Sequence, residues 1–221
     1  IRMGPSGDGG YLVPDDLDGI GACFSPGVST EAGFELGCAD LGMQVFLADA
    51  SVDQPPSSHE NFEFRKNFIG ANTYADFVTL AQWVRESDCS SSQDLLLQMD
   101  IEGAEYEALL ATPTDLLRRF RIMVIEFHDL DQLWNRRFFS IAEAVFNKLL
   151  DTHVCVHLHP NNYYPLFEFE ELAIPPLLEI TLIRRDRCPV NMGSAVLPHP
   201  LDVDNTPNPP VELPRYWFAD A

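Results

Sequence analysis

The chain is poor in positive charge, and this shortage excludes two classes of partner. Its 221 residues include 14 lysines and arginines against 34 acidic residues, so the net charge is −20 at pH 7. Such an excess of negative charge opposes binding to the phosphates of nucleic acids and to anionic membranes. We therefore expect no nucleic-acid partner and no membrane partner. A neutral substrate or a cationic cofactor fits the charge better.

Paired cysteines and apolar leader segments are also absent. The five cysteines are odd in number and widely spaced, without a CxxC pair, which is typical of reduced thiols and predicts a cytoplasmic protein. The first residues, IRMGPSGDGG, lack the apolar core of a signal peptide, and no run approaches the length of a membrane span. Because the chain begins at Ile1 without a methionine, we expect truncation or processing upstream.

Two glycine-rich nucleotide motifs are missing as well. The turn after the first predicted strand, residues 25–29, reads SPGVS and holds a single glycine. It does not match GxGxxG, which disfavours a dinucleotide-dependent dehydrogenase, and it does not match GxxxxGK[ST], which excludes a phosphate loop. The sequence therefore predicts a site that does not bind a pyrophosphate.

Segments of strand character alternate with segments of helical period, which predicts an α/β fold with a mainly parallel sheet. Seven strands are predicted, at residues 20–25, 44–48, 62–69, 95–99, 121–127, 153–158 and 177–184. Helices are predicted at residues 30–41, 79–85 and 104–111, and between Phe138 and Leu149, where apolar residues recur at helical spacing. The link between the last two strands has little helical character, so it favours an antiparallel last strand.

The composition changes at Cys188, because seven of the 17 prolines lie between residues 189 and 214. We predict a globular domain over residues 1–187 and a Pro-rich C-terminal extension without regular structure over residues 188–221. The extension ends in three aromatic residues, 216–218, which would be costly to leave exposed. We expect these rings to dock on the domain or on a second subunit, and the second case predicts a homodimer formed through the tail.

The most informative segment is DLLLQMDIEGAE, residues 94–105. Its apolar run ends at Asp100, which places this acid at the carboxyl end of a buried strand, where ligands bind in open α/β sheets. Asp100 and Glu102 would then face a site, and the alternative is a strand terminus with solvated acids. His128 follows the next strand, and it is the natural base at neutral pH if it is not simply hydrogen-bonded to a neighbouring loop.

Two further segments predict which ligands the site binds. Asp49 closes the second strand, where an acid can accept hydrogen bonds from the ribose of an adenosine-containing cofactor; the alternative is a solvated loop acid. The asparagines and tyrosines of residues 161–164 combine amides with aromatic faces, which suits a sugar. The alternative for this segment is a hairpin loop with turn-forming asparagines.

His157 and His159 are candidate metal ligands, because they lie two residues apart on a predicted strand and share a face. Joined by Asp100, Glu126 or His128, they could hold a divalent metal that polarises an acceptor hydroxyl. The alternative is that both histidines only contribute polar lining.

The residues described so far carry a family resemblance. MDIEGAEYEAL, residues 99–109, resembles the DxEGAE signature of the FkbM-type S-adenosylmethionine-dependent methyltransferases, many of which methylate hydroxyls of sugars or sugar-bearing metabolites. Six further segments resemble the family in the same order: SGDGGYLVPDD, FSPGVSTEAGFE, VFLADASVD, IEFH, HPNNYYPLF and PPLLEITLIRR. The resemblance is strongest for the branch with a DGGY segment ahead of the fold. The first-strand loop departs from it, because SxGVS stands where the wider family has GxNxG.

The resemblance implies a Rossmann-like, seven-stranded class I methyltransferase fold with S-adenosylmethionine over strands one to four and the acceptor above strands four to six. The cofactor residues implied are Ser25, Gly27, Val28, Ser29, Asp49, Ala50, Ser51, Gly70 and Asp100. From the chemistry of methyl transfer to a hydroxyl, we predict Asp100, Glu102 and His128 as the catalytic residues. The acceptor residues predicted are Tyr11, Glu126, His159, Asn161 and Asn162.

The sequence therefore predicts an S-adenosylmethionine-dependent O-methyltransferase acting on a hydroxyl of a sugar, glycan or glycosylated small molecule. Two alternatives stay open at this point. One is methyl transfer to another small-molecule nucleophile, such as an amine or a carboxylate. The other is a catalytically inactive, methyltransferase-like module that binds its ligand without turnover.

Overall fold

The computed structural model describes residues 1–188 and 196–218 and contains the seven-stranded sheet. The strands are β1 Ile20–Pro26, β2 Gln44–Ala48, β3 Phe62–Arg65, β4 Asp94–Met99, β5 Phe120–Phe127, β6 His153–Pro160 and β7 Leu178–Arg184. Their order across the sheet is β6-β7-β5-β4-β1-β2-β3. Only β7 runs against its neighbours, β5 and β6. The predicted fold class and the antiparallel last strand are confirmed.

Helices cover both faces of this sheet. They are α1 Gly33–Asp40, α2 Leu80–Glu86, α3 Glu105–Ala111, α4 Thr114–Leu117 and α5 Arg136–Thr152. One core cluster joins α2, α3 and α5 to the sheet, and a second joins α1 and the N-terminal segment to the opposite face. Along β4, Leu95 and Leu97 belong to the first cluster and Leu96 to the second, as expected for a strand buried on both sides.

Local signals explain several element boundaries. The Thr79 hydroxyl accepts a hydrogen bond from the Gln82 backbone N–H at 3.1 Å, so α2 begins at the predicted cap. Burial of Ala142, Val145 and Leu149 on one side of α5 confirms its predicted apolar face. None of the helices in the two described ranges is long and apolar enough to cross a membrane.

The third predicted strand is shorter than expected. Residues 62–69 were predicted as one strand, but β3 ends at Arg65 and Phe68–Ile69 pairs in parallel with Phe77–Val78 outside the main sheet. Asn67 causes the break, because its side chain accepts from Arg65 Nε at 2.7 Å and donates to the carbonyl of Asp76 at 3.0 Å. These bonds hold a turn where the alternation of the sequence suggested a continuous strand.

Two short antiparallel pairs complete the described strands. Arg2–Met3 pairs with Tyr11–Leu12 next to α1, and Phe167–Phe169 forms a hairpin with Leu172–Ile174 in the link between β6 and β7. This link therefore contains a hairpin and no crossover helix.

The Pro-rich tail packs on the body of the protein. Residues 196–218 contain one short 3-10 helix, Arg215–Trp217, and no strand. The Tyr216 hydroxyl donates to the Ala173 carbonyl at 3.0 Å, and the Trp217 indole donates to the same oxygen at 3.2 Å. Of the predicted tail, residues 189–195 and 219–221 lie outside the described residues. The expected homodimer and the domain boundary stay predictions.

Candidate functional site

A cavity of about 420 Å³ lies where the carboxyl ends of β1, β2 and β4 meet. These three strands are parallel neighbours, so the loops that follow them leave the sheet at the same edge. The walls are residues 27–31 after β1, Asp49 and Ser51 after β2, and residues 100–102 after β4. The volume is in the range of small-molecule sites, about 300–1,000 Å³.

The loop after β1 turns sharply at Gly27. Its φ is +91°, a region that residues with a Cβ rarely adopt, and a Cβ at this position would overlap the carbonyl oxygen of Asp100. The Gly27 N–H donates to the Ala48 carbonyl at 2.9 Å, and the Asp100 N–H donates to the Pro26 carbonyl at 3.3 Å. The single glycine of this turn therefore allows the ends of three strands to approach one another closely.

Asp49 fixes the geometry of the β2 end. One carboxylate oxygen accepts from the Ser29 N–H at 2.9 Å, and the other accepts from the N–H and the hydroxyl of Ser51, both at 2.7 Å. The residue is 5% exposed and still lines the cavity. A carboxylate offers about four acceptor positions, so these three bonds leave one for a ligand hydroxyl.

Apolar side chains form the opposite wall. Phe68, Ile69 and Phe77 line the cavity, and the rings of Phe68 and Phe77 pack with their centroids 5.3 Å apart. Gly70 lies against this wall, because a Cβ there would be 3.0 Å from the Phe77 ring. These side chains offer the flat apolar surface that a purine base needs.

A buried polar network lies beside the cavity. The Ser25 hydroxyl is 2.5 Å from a Glu35 carboxyl oxygen and 2.7 Å from the Gln98 amide oxygen, and the Gln98 amide nitrogen donates to the Tyr11 hydroxyl at 3.2 Å. All four residues are buried. Burial raises the pKa of Glu35 to about 7, although the hydrogen bond from Ser25 acts against it. This carboxyl therefore titrates close to neutral pH.

Asp100, Glu102, Glu105 and His128 form a second group, at the carboxyl ends of β4 and β5. His128 Nε2 lies 3.7 Å from Asp100 Oδ1 and 3.4 Å from Glu102 Oε2, and His128 Nδ1 lies 3.2 Å from Glu105 Oε1. Glu102 has a φ of +57°, so the turn after β4 holds a non-glycine residue in a strained backbone region next to these groups.

The electrostatics of this group differ from the sequence-based expectation. Burial raises the pKa of Asp100 to about 6, with the positive charge of His128 acting against it. Burial lowers the pKa of His128, but the contact with Glu105 and the charges of Asp100 and Glu102 outweigh it and raise the pKa to about 9. His128 was expected to act as the base at neutral pH, whereas a pKa of about 9 favours its protonated form there.

The predicted acceptor residues lie further along the same edge. Glu126 on β5 pairs directly with Glu179 on β7, and both are almost fully buried. The Asn161 amide donates to Glu126 at 2.8 Å, and the Asn205 amide from the tail donates to Glu179 at 2.7 Å. Burial and the charges of Asp100 and Glu179 raise the pKa of Glu126 well above its usual range. This half of the edge therefore consists of carboxyl and amide groups.

Both candidate metal-ligating histidines on β6 bind the tail. His157 Nε2 is 2.8 Å from Asp202 Oδ1, and His159 Nδ1 is 3.8 Å from Asp202 Oδ2. The two imidazoles share a face of the strand, as predicted, but their partner is a tail carboxylate 45 residues beyond His157. The clustered donor atoms among the described residues belong instead to Asp100, Glu105 and His128.

A match to a family model decides the identity of the domain. Residues 34–160, more than half of the chain, match the model described as Methyltransferase FkbM domain. The chain belongs to the FkbM methyltransferase family. Its members are S-adenosylmethionine-dependent methyltransferases, so the FkbM domain is of that enzyme class. The resemblance of its DIEGAE segment is thereby confirmed at the level of the family.

Other similarities are more distant. An alignment of 139 positions with a chitooligosaccharide oxidase from Gibberella zeae shows 27% identity, and it covers 58% of this chain and 28% of that protein. The fibrillarin pre-rRNA processing protein of Methanococcus jannaschii is similar in structure with a TM-score of 0.44 and 10% identity, covering 79% of this chain and 70% of that one. The magnesium protoporphyrin IX methyltransferase of Synechocystis PCC 6803, solved with bound SAH, has a TM-score of 0.38 and 12% identity, covering 76% and 75%. Both structural similarities concern the fold alone.

The FkbM domain brings most of the predicted cofactor residues to one cavity. Those that line it are Gly27, Val28, Ser29, Asp49, Ser51 and Asp100. Three predicted cofactor residues are not among the lining residues: Ser25, which is fully buried, Ala50, and Gly70, which lies against the Phe77 ring. Of the predicted acceptor residues, Tyr11 lines the cavity, while Asn162 binds the backbone of Thr206 and Asn208 in the tail.

Sequence reasoning missed four functional candidates: Glu35, Gln98, Glu105 and Glu179. Glu179 carried a usable signal, because a lone acid within the apolar run LLEITLI needs a buried partner or a site. Gln98 carried the same signal within LLLQM. Glu35 and Glu105 lie at helix starts, where acids are common for reasons unrelated to function.

Proposed function

We propose that this domain transfers a methyl group from S-adenosylmethionine to a hydroxyl of a sugar, glycan or glycosylated small molecule. The position of Asp100 carries the proposal. Its side chain lines the cavity assigned to the cofactor and also lies 3.7 Å from His128 at the end of the next strand. One residue therefore adjoins both the cofactor side and the acceptor side of the edge.

The cavity residues fit this cofactor. Asp49 offers an acceptor to a ribose hydroxyl, and Phe68 and Phe77 offer an apolar wall to the base. The lining described includes acids such as Glu31 and Glu102 and has no lysine or arginine, which favours a ligand with positive charge. When bound, S-adenosylmethionine supplies an electrophilic methyl group on a positively charged sulfur.

The protein's own residues supply orientation and proton transfer. An alcohol is a weak nucleophile until its proton leaves, so a carboxylate or imidazole must stand within reach of the hydroxyl. Asp100 and Glu102 both line the cavity, and His128 lies between their carboxylates. We place the acceptor hydroxyl beside these two carboxylates, which would take its proton.

The chemistry of the acceptor side supports a neutral sugar. The carboxyl groups of Glu126 and Glu179 with the amides of Asn161 and Asn205 provide donors and acceptors that suit hydroxyls. A phosphorylated or carboxylated acceptor would bring negative charge towards buried carboxyl groups. The name of the curated relative, a chitooligosaccharide oxidase, also refers to a carbohydrate.

The test combines cofactor binding with methyl transfer. S-adenosylhomocysteine at about 100 times its dissociation constant should stabilise the native protein by about 2.7 kcal/mol in a thermal-shift assay. Labelled S-adenosylmethionine is then offered with neutral oligosaccharides. We expect Asp100→Asn to keep the native fold and to lower transfer by about 10²-fold or more. Asp115→Asn is the control, because the Asp115 side chain is 95% exposed on α4.

Each result has a defined meaning. Absence of stabilisation and of transfer would refute the proposal as a whole. Stabilisation without transfer to any acceptor would indicate a binding module without turnover. Equal transfer by the wild type and by Asp100→Asn would show that Asp100 is only the end of a strand.

A further inference from the structure

We infer that Asp100, Glu105 and His128 form a site for one divalent cation of the Mn²⁺ type at the edge of the cofactor cavity. The role of the ion rests on the proposed function, whereas its binding can be measured without any methyl acceptor. Glu105 did not belong to the metal ligands expected from the sequence. His157 and His159, which did, are bound to Asp202.

The three side chains converge closely enough to share an ion. One donor atom from each lies within 4.8 Å of the donor atoms of the other two. Ligand atoms at adjacent octahedral positions around an ion with bonds of about 2.1 Å are about 3 Å apart. The imidazole is close to both carboxylates, because His128 Nδ1 lies 3.2 Å from Glu105 Oε1 and His128 Nε2 lies 3.7 Å from Asp100 Oδ1; one ion would bind one of these two ring nitrogens.

The same three residues have buried polar atoms without hydrogen-bond partners. Four such side-chain atoms occur in the described part of the chain, and three of them are Asp100 Oδ1, Glu105 Oε2 and His128 Nδ1. Glu105 is completely buried. Since buried polar atoms in proteins are nearly always satisfied, three unsatisfied atoms in one cluster indicate a missing partner.

The local backbone leaves Glu105 free to bind an ion. Its Oε1 accepts from the backbone N–H of Ile101 at 3.0 Å and from that of Gly103 at 3.1 Å. These bonds fix the carboxylate in position, while Oε2 has no partner. The Tyr106 hydroxyl donates to the His128 carbonyl at 2.7 Å and holds the other strand end. Ligands are thus oriented by neighbouring groups before the ion arrives, as in known metal sites.

The donor set and the charge favour a hard divalent ion. Two carboxylates suit Mg²⁺ and Mn²⁺, and the imidazole favours Mn²⁺ between the two. Glu102 adds a further negative charge 3.4 Å from His128. The ion would compete with a proton for a ring nitrogen of His128, because histidine binds a metal only in its neutral form.

The ion would assist the proposed methyl transfer directly. A hydroxyl bound to a divalent cation loses its proton more easily, so that a weak base is sufficient. Asp100 then acts as a ligand, and Glu102, whose side chain is 87% exposed, remains as the carboxylate that takes the proton and passes it to solvent. No redox change is involved, and the ion keeps its charge throughout.

The test measures Mn²⁺ itself. Electron paramagnetic resonance of free Mn²⁺, titrated with the full chain, should show one site per chain. Glu105→Gln keeps an oxygen for the two backbone N–H groups and removes the charge, and we expect it to weaken binding about tenfold or more. Glu107→Gln is the control, because Glu107 is an exposed acid on the same helix. It should bind Mn²⁺ like the wild type.

His128→Gln and circular dichroism keep the test decisive if Glu105→Gln folds poorly. No Mn²⁺ site in the wild type, or equal affinity in the wild type, Glu105→Gln and His128→Gln, would overturn the inference. S-adenosylhomocysteine binding is measured in parallel without metal. If S-adenosylhomocysteine binding persists and methyl transfer continues in a chelator, the role of the ion in transfer is refuted while the proposed function stands. If neither S-adenosylhomocysteine binding nor transfer occurs, the proposed function fails whatever Mn²⁺ does.

Discussion

Replacing Gly27 by alanine tests whether this glycine joins the cofactor half of the site to the acceptor half. Gly27 has a φ of +91°, and a Cβ on it would overlap the Asp100 carbonyl oxygen. The overlapping atom belongs to backbone at the end of β4, where a small rotamer change cannot relieve the contact. The alanine should therefore displace Asp100, the residue on which both proposals depend.

A second glycine provides a matched control. Gly42, just after α1, has a φ of +87°, and a Cβ on it would meet nothing within 4 Å. Gly42→Ala therefore measures the cost of the left-handed backbone alone, about 1–2 kcal/mol. Gly27→Ala adds the displacement of packed backbone, about 1–3 kcal/mol by analogy with overpacked cores. We expect total destabilisation of about 2–5 kcal/mol for Gly27→Ala.

Urea unfolding followed by circular dichroism measures both changes, and S-adenosylhomocysteine binding measures the effect on the site. The control should bind like the wild type, because Gly42 does not line the cavity and a Cβ on it would meet no atom within 4 Å. Gly27→Ala should bind more weakly even where it is folded. If both variants lose the same stability and keep the same affinity, Gly27 is an ordinary turn residue and the reasoning is refuted.

Two further predictions concern pH and the tail. The pKa of Glu35 is raised to about 7 in the folded protein. The protonated carboxyl therefore stabilises the fold fully below about pH 4.5, the pKa of the unfolded chain. This stabilisation, about 3 kcal/mol, is lost as the pH rises through 7. Urea unfolding at pH 5 and pH 8 should show a drop in stability that is larger, by about 3 kcal/mol, in the wild type than in Glu35→Gln, because the other buried acids titrate in both proteins. Equal drops in the two proteins would contradict this assignment. Asp202→Asn weakens the contacts with His157 and His159 and should therefore speed proteolysis of the tail. Asp204→Asn is the control, because Asp204 is exposed, and it should leave the proteolysis rate unchanged. Equal rates for the two variants would show that Asp202 does not anchor the tail.

The sheet was predictable because its strands are apolar, short and separated by turn signals. β2, Gln44–Ala48, has the predicted bounds, and the other predicted strands differ mainly at their ends. The exception is the third strand, where Asn67 uses its side chain to form a turn. Side-chain bonds to a backbone carbonyl nine residues away leave no trace in periodicity.

The cavity that we propose for the cofactor was predictable for a related reason. Asp49 and Asp100 each follow an apolar strand directly, and parallel strands bring their carboxyl ends together. The role of Glu105 was not predictable, because an acid in the first turn of a helix usually serves the helix. Only the fold shows that its second oxygen is buried without a donor.

The acceptor half depends on contacts between distant parts of the chain. The Asn205 amide nitrogen in the tail donates to Glu179 on β7 and to Asp8 in the N-terminal segment, and its amide oxygen accepts from His159 Nε2 at 3.2 Å. Asp8 also lines the cofactor cavity. The tail therefore contacts residues of the proposed site directly, although its composition predicted only an extension outside the domain.

The cofactor side and the acceptor side proposed for this methyltransferase are built from different parts of the chain. The cofactor is the same for every acceptor, and the residues proposed to bind it lie at strand ends that the sheet itself positions. The proposed acceptor side is built from β5, β7 and a tail with little regular structure, so its shape can change without disturbing the sheet. Changes of the tail near Asn205 should therefore alter acceptor preference more than cofactor binding.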